Sequence, residues 1–333
     1  MPSVRQSLTP SQRRMRVLSG VLMLAGLAGL TAEFVARNVF SRSLAARLMP
    51  PTPFERINLA GSAASGTVLD AGGGWFNGGR PTEILIRSRK KDGAWDRPTD
   101  LVVRNGRLRG AIRIMGMGRN GQGPDVRASS YQAGHTAAAQ AAAPARIVLS
   151  NVWIEAAGPI PIYLAPGVTQ TLVEHCVITG RSRSVALYLD AESARNTIRA
   201  NVFAARTGRE VIAVDGSAEN VIAGNRFERL PLGGITLYRN SGEGGTVRHQ
   251  TPHGNRIEGN RFDTRGLGWR AYGIWLGARN GRSAYREADA GHPFGSSLDN
   301  RDFANTNTVT GNRFEPDTPR AVRNDGSANR IGL

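Results

Sequence analysis

The chain has 333 residues and a formal charge of +17, with 43 basic residues against 26 acidic ones. A lone cysteine, Cys176, excludes an intramolecular disulfide, and its place inside a repeat reads as a packed core thiol rather than a nucleophile. Lys90 and Lys91 are the only lysines, so the excess is arginine, whose fork suits carboxylates and phosphates or simply a solvated surface.

Taken in chain order, Arg5, Arg13, Arg14 and Arg16 precede an apolar run from Val17 to Ala32, the arrangement of an export signal. Residues 1–36 are expected to be a signal peptide or signal anchor, and 37–54 a linker ending in Pro50-Pro-Thr-Pro53. About 16 apolar residues are short for a membrane span. The flanking charge would keep the N-terminus cytoplasmic, with the rest periplasmic or extracellular and residues 17–32 available to hold it at a bacterial inner membrane. Export also argues against a nucleic-acid partner for the remaining positive charge.

After the linker, 66–70, 83–87 and 111–114 alternate as strands do. The pattern fails over about 116–145, an excursion with a short helix expected over 137–143 and an exposed His135. Then one motif recurs: Asn196-Thr-Ile-Arg-Ala-Asn201-Val-Phe203, Asn220-Val-Ile-Ala-Gly-Asn225-Arg-Phe227, Asn255-Arg-Ile-Glu-Gly-Asn260-Arg-Phe262 and Asn307-Thr-Val-Thr-Gly-Asn312-Arg-Phe314. Weaker copies surround Asn151 and Cys176. A repeat this short implies stacked coils rather than globular domains. The second position of the motif falls at 151, 176, 201, 225, 260 and 312, so a coil takes 24 or 25 residues and the last two steps carry insertions at about 239–254 and 278–306.

Stacking one coil on the next turns equivalent positions into ladders. One inward apolar stack is expected from Val148, Val173, Ile198, Ile222, Ile257 and Val309. A second is expected from Trp153, Ile178, Phe203, Phe227, Phe262 and Phe314, and an amide ladder from Asn151, Asn201, Asn225, Asn260 and Asn312.

The Asn-x-Ile-x-x-Asn-x-Phe repeat over residues 55–333 resembles the pectate-lyase-like superfamily. The resemblance implies an all-β fold, a right-handed parallel β-helix behind an N-terminal hydrophobic helix. That superfamily contains polysaccharide lyases, uronate epimerases, glycoside hydrolases and non-catalytic binding solenoids, so it implies a carbohydrate partner without choosing a reaction.

Candidate chemistry lies on the strands before each motif. With Leu164, Leu189, Val214, Leu237 and Leu276 inward, one outward column is Tyr163, Tyr188, Ala213, Thr236 and Trp275. The next is Ala165, Asp190, Asp215, Tyr238 and Gly277. Tyr163, Tyr188 and Trp275 offer a platform for sugar rings. Asp190 and Asp215 could act as acid and base of a hydrolase, hold Ca²⁺ through oxygen ligands, or merely answer nearby arginines. The 239–254 insertion adds Arg239, Glu243, Arg248, His249 and His253, and the 278–306 insertion adds Arg279 as a wall of the same groove. Thr251-Pro-His253 loosely resembles the Asp-Pro-His-Asp segment of β-helix alginate C5-epimerases, with Thr251 and Gly254 where the acids stand.

On an acidic polysaccharide, Arg239 or Arg248 would neutralise the uronate carboxylate, His249 or His253 would take the C5 proton, and Tyr238 would donate one. Elimination then gives a lyase and reprotonation an epimerase. The alternatives are the Asp190–Asp215 hydrolase and a non-catalytic polysaccharide-binding scaffold of the cell envelope.

Overall fold

A computed structural model describes residues 54–281 and 287–332. The expected signal or anchor helix over 1–36, and the linker as far as residue 53, lie outside them.

Each regular coil contributes three short strands, as in Thr197–Arg199, Val202–Phe203 and Ile212–Asp215. Each runs parallel to its equivalent in the next coil: Val221–Ala223, Arg226–Phe227 and Ile235–Tyr238. Parallel ladders of this kind join 22 strands, and a two-stranded antiparallel hairpin, Arg89–Lys91 with Ala94–Asp96, stands apart. The described chain is a parallel β-solenoid.

The motif explains the corner between the first two strands. Gly224, Gly259 and Gly311, each preceding the second Asn, have φ of 62°, 60° and 61°. A left-handed residue turns the chain there without steric cost only when it lacks a Cβ. Ala200 and His175 adopt the same conformation, at φ 53° and 52°, against that preference.

Inside, Ile198, Ile222, Ile257 and Val309 stack in register. Phe203, Phe227, Phe262 and Phe314 stack nearly parallel with centroids 5.1, 4.5 and 4.8 Å apart. Burying each such side chain contributes about 1.5–3 kcal/mol. Cys176 is buried among them, and burial pushes its thiol up to about 11.

Both asparagines of the motif form ladders, where one was expected. The second set runs Asn201 to Asn225 to Asn260 to Asn312 at 3.0, 2.9 and 2.9 Å. The first set runs Asn196, Asn220, Asn255, Asn307 and Asn329 at 3.1, 2.8, 3.0 and 3.2 Å.

The 146–153 copy differs from the expectation by one residue. Leu149, not Val148, pairs with Val173, and Ile154, not Trp153, pairs with Ile178. A one-residue slip exchanges faces. Trp153 is therefore exposed, donating to Thr179 Oγ1, and Asn151 bonds back to Asn105 outside the buried ladder.

The 116–145 excursion forms two helices, Pro124–Ser130 and His135–Ala142. His135, expected to be exposed, is buried with its ring centroid 5.1 Å from that of His249, and burial depresses its pKa to about 4. The reason is that the insertions fold on one another. Tyr131 Oη donates to the Gly245 carbonyl at 2.8 Å, the Val247 N–H donates to Ser130 Oγ at 3.1 Å, and Arg127 meets Glu287 at 3.4 Å. Together they wall one face of the solenoid.

Candidate functional site

On the walled face the outward column is Arg113, Tyr163, Tyr188, Ala213, Thr236, Trp275 and Arg323, one per coil. Stacking holds its first members: the Arg113 guanidinium lies 4.1 Å from the Tyr163 ring centroid, and Tyr163 and Tyr188 stack at 5.0 Å and 9°. Over these residues opens a cleft of about 290 Å³. Arg113, Arg119, Arg209 and Arg279 surround it, with Asn120, Gln122, Ile160, Tyr163, Tyr188, Asn240 and Glu243 completing the lining.

Beneath the tyrosines lies a fully bonded carboxylate layer. Tyr163 Oη donates to Asp190 Oδ2 at 2.6 Å, and the Ala191 N–H donates to Asp190 Oδ1 at 2.8 Å. One coil on, Tyr188 Oη donates to Asp215 Oδ2 at 2.7 Å, while the Asn240 N–H and Nδ2 donate to Asp215 at 2.8 Å each. Both carboxylates are buried, at 2% and 0% exposure. Arg248, 1% exposed, stands 3.6 Å from Asp190 and 3.7 Å from Glu243. Gly121 lies against its guanidinium so closely that a Cβ there would overlap both terminal nitrogens. That missing side chain lets the 119–122 segment descend onto the cleft.

Tyr238 continues the carboxylate column, in register with Asp215. Arg209 Nη2 donates to its hydroxyl at 2.9 Å, and the hydroxyl donates to Glu210 at 3.1 Å. Arg279 covers its ring at 3.9 Å.

Electrostatics follow from this burial. Desolvation, then the Asp190 charge, raises the Tyr163 pKa well above the usual phenol range, and desolvation with Asp215 does the same to Tyr188. Both phenols stay protonated. Burial lifts the Asp190 carboxyl to about 6, with Arg248 opposing and Asp215 adding to the rise. Burial works against the Arg248 charge, but Asp190, Asp215 and Glu243 outweigh it and keep its pKa raised. The Tyr163–Asp190 pair can therefore accept a proton at the phenol oxygen while the phenol's own proton passes to Asp190.

The residues singled out in the sequence fall into three groups. Tyr163, Tyr188, Glu243 and Arg279 line the cleft, and Asp190, Asp215, Tyr238 and Arg248 form the layer directly beneath or beside it. Arg239, His249, His253 and Trp275 are elsewhere. Arg239 is buried with its guanidinium over Phe294 at 4.1 Å and donates to the carbonyls of Arg301 and Asp299 at 2.8 and 3.0 Å. His249 Nε2 bonds the Ser130 carbonyl at 2.7 Å, tying the insertion to the first helix, and His253 Nδ1 is 3.0 Å from the Thr251 carbonyl. Trp275 donates to Asp325 at 3.0 Å and lies under Arg323.

Two consequences correct the sequence reading. Asp190 and Asp215 occupy adjacent coils as expected, but they sit behind phenols and do not offer the exposed carboxyl pair a hydrolase needs. Neither histidine lines the arginine cleft: His249 is turned toward the helices, and His253 is held by Thr251, with its carbonyl accepting the Glu219 N–H. Among the described residues, no three His, Cys, Asp or Glu side chains gather in a metal-ligating group.

Sequence reasoning missed Arg113, Arg119, Asn120, Gln122, Arg209 and Asn240. Extending the tyrosine column one coil upstream would have reached Arg113. Residues 119–122 arrive through an excursion with no repeat to locate it.

No family model matches the chain, and no curated protein does. Among solved structures, the Dettilon tailspike protein is similar at 11% identity and a TM-score of 0.22, over 81% of this chain and 60% of that one. The chain thus spans less than two thirds of that protein's length. The solenoid assignment rests on the ladders, and this likeness adds nothing to it.

Proposed function

We propose that the cleft binds the carboxylates of an acidic polysaccharide and moves the C5 proton of a uronate, as a lyase or C5-epimerase built on a pectate-lyase-like right-handed parallel β-helix. The observation that carries this reading is four arginines ringing a cleft whose floor is two stacked tyrosines bonded to buried carboxylates. The arginines neutralise the uronate carboxylate and the charge that develops on it as the C5–H bond breaks. Tyr163 Oη accepts that proton while its own passes to Asp190. Tyr188 supplies a proton either to the leaving C4 oxygen, with C4=C5 forming as the C4–O bond breaks, or to the opposite face of C5. After turnover Asp190 gives its extra proton to solvent, and Tyr188 regains from solvent the proton it has donated. The reading places the solenoid outside the cytoplasm, with residues 17–32 as export signal or inner-membrane anchor.

The test is incubation of the full chain with polymannuronate, polyguluronate and polygalacturonate, with Ca²⁺ and with chelator, recording unsaturated ends, deuterium uptake at C5 and binding. Turnover should rise as pH climbs through about 6, because Asp190 must be ionised to receive the proton. Tyr163→Phe should lower it by about 100-fold or more. Binding without turnover would leave a non-catalytic scaffold, a reading favoured by the complete burial of Asp190 and Asp215. Absence of binding to every polyuronate would overturn both.

A further inference from the structure

A second and larger cavity, about 770 Å³, opens at the turns between the second and third strands of successive coils, just before the chain enters the tyrosine face. Five arginines and two acids line it: Asp263 is paired with Arg265 and Glu228 with Arg226 from outside the cavity, while Arg181, Arg183, Arg206 and Arg229 are exposed. Elsewhere on the solenoid surface, arginines mostly have acids of their own: Arg146 meets Asp100 at 2.6 Å, Arg199 meets Glu174 at 2.7 Å, Arg256 meets Glu258 at 2.8 Å and Arg261 meets Glu315 at 2.5 Å. Arg181, Arg183, Arg206 and Arg229 form no ion pair among the described residues. Moreover, Arg181 and Arg206 face each other across a parallel bridge between adjacent coils, about 4.8 Å apart along the stack. Like charges so placed repel, and an anion between them would reverse the effect.

The rim adds an aromatic surface. Gly268 donates its N–H to the carbonyl of Pro231, a lining residue, at 3.0 Å, and the next residue, Trp269, is 73% exposed. Arg270 lies 4.1 Å from its ring centroid. The cavity also adjoins the tyrosine cleft. Thr207 and Gly208 line the former while Arg209 lines the latter, and three residues span at most about 10 Å.

We infer that this cavity is a second subsite for the acidic polysaccharide, in which Arg181, Arg183, Arg206 and Arg229 bind successive carboxylates and Trp269 stacks on a sugar ring. The inference rests on the function proposed above. One polymer then crosses the 206–209 turn and occupies both clefts, so affinity depends on chain length.

The full chain should be compared with Arg181→Ser/Arg206→Ser, using a uronate oligomer short enough for one cleft and the long polymer. The double variant should lose about tenfold in affinity for the polymer, keep its affinity and turnover with the short oligomer, and melt no lower than the parent because a repulsion is gone. Arg107→Ser/Arg313→Ser removes the same charge from exposed positions away from the cavity and should bind the polymer as the parent does. Equal loss in both double variants, or unchanged polymer affinity in the first, would overturn the inference while leaving the tyrosine cleft intact. A parent that binds no uronate chain would overturn both readings together.

Discussion

Asp302 accepts the backbone N–H groups of Arg239 and Arg279 at 2.8 and 2.7 Å, yet burial outweighs those bonds and lifts its carboxyl to about 6. It pins both insertions to the tyrosine face, at a cost that depends on pH. The unfolded chain releases this proton near the ordinary carboxyl value of 3.8, while the folded chain keeps it to about 6. Between those values the folded state holds more protons, so its stability falls as pH rises, by about 1.4 kcal/mol per unit. Asp302→Asn cannot titrate. Denaturant unfolding from pH 4 to 7 should show the parent losing on the order of 2 kcal/mol more than the variant across that window. Parallel curves, whatever their offset, would refute the assignment; Asp190, present in both proteins, tilts both equally.

At the scale of the repeat, the asparagine ladder works as one element because each amide serves two neighbours. Asn225 Nδ2 donates to Asn260 Oδ1 at 2.9 Å and the Ile198 carbonyl at 2.8 Å, while its Oδ1 accepts the Asn201 N–H and Nδ2 at 3.0 Å each. Asn225→Ala would strand buried donors on Asn201 and should cost about 2–4 kcal/mol in urea denaturation. Asn329→Ala, at the partly exposed end of the other ladder, should cost about 1 kcal/mol or less. Equal losses would contradict a mid-ladder role. This element was legible in the sequence because its chemistry repeats: the glycine, the asparagine and the aromatic each answer one corner, amide or packing requirement every coil. The 146–153 copy was misplaced because, with Leu149 and Ile154 beside Val148 and Trp153, two registers fit the apolar pattern equally. The cleft was half legible for a related reason. Tyr163, Tyr188, Asp190 and Asp215 follow from strand alternation, whereas Arg119 and Asn240 are brought in by non-repeating loops, and the inward turn of His249 depends on helices that no period marks.

For the molecule as a whole, coil length acted as a ruler that located the insertions, and the insertions wall the tyrosine face. The basic charge is likewise a property of the whole surface, and its two uses respond differently to salt. About half of the described arginines sit in exposed pairs worth about 0–1 kcal/mol each, and the apolar stacks and amide ladders that hold the coils together carry no charge. Folding should therefore be nearly insensitive to ionic strength. Polymer binding should not be, since both clefts meet their ligand through arginines: Arg113, Arg119, Arg209 and Arg279 in one, and Arg181, Arg183, Arg206 and Arg229 in the other. Raising salt from about 0.1 to about 1 M shortens the screening length from about 10 to about 3 Å. Polyuronate affinity, followed by calorimetry, should fall at least about tenfold over that range, while the melting temperature stays within a few degrees and a neutral glycan shows no comparable loss. Salt-independent polyuronate binding would mean that sugar stacking, and not the arginine clefts, holds the chain.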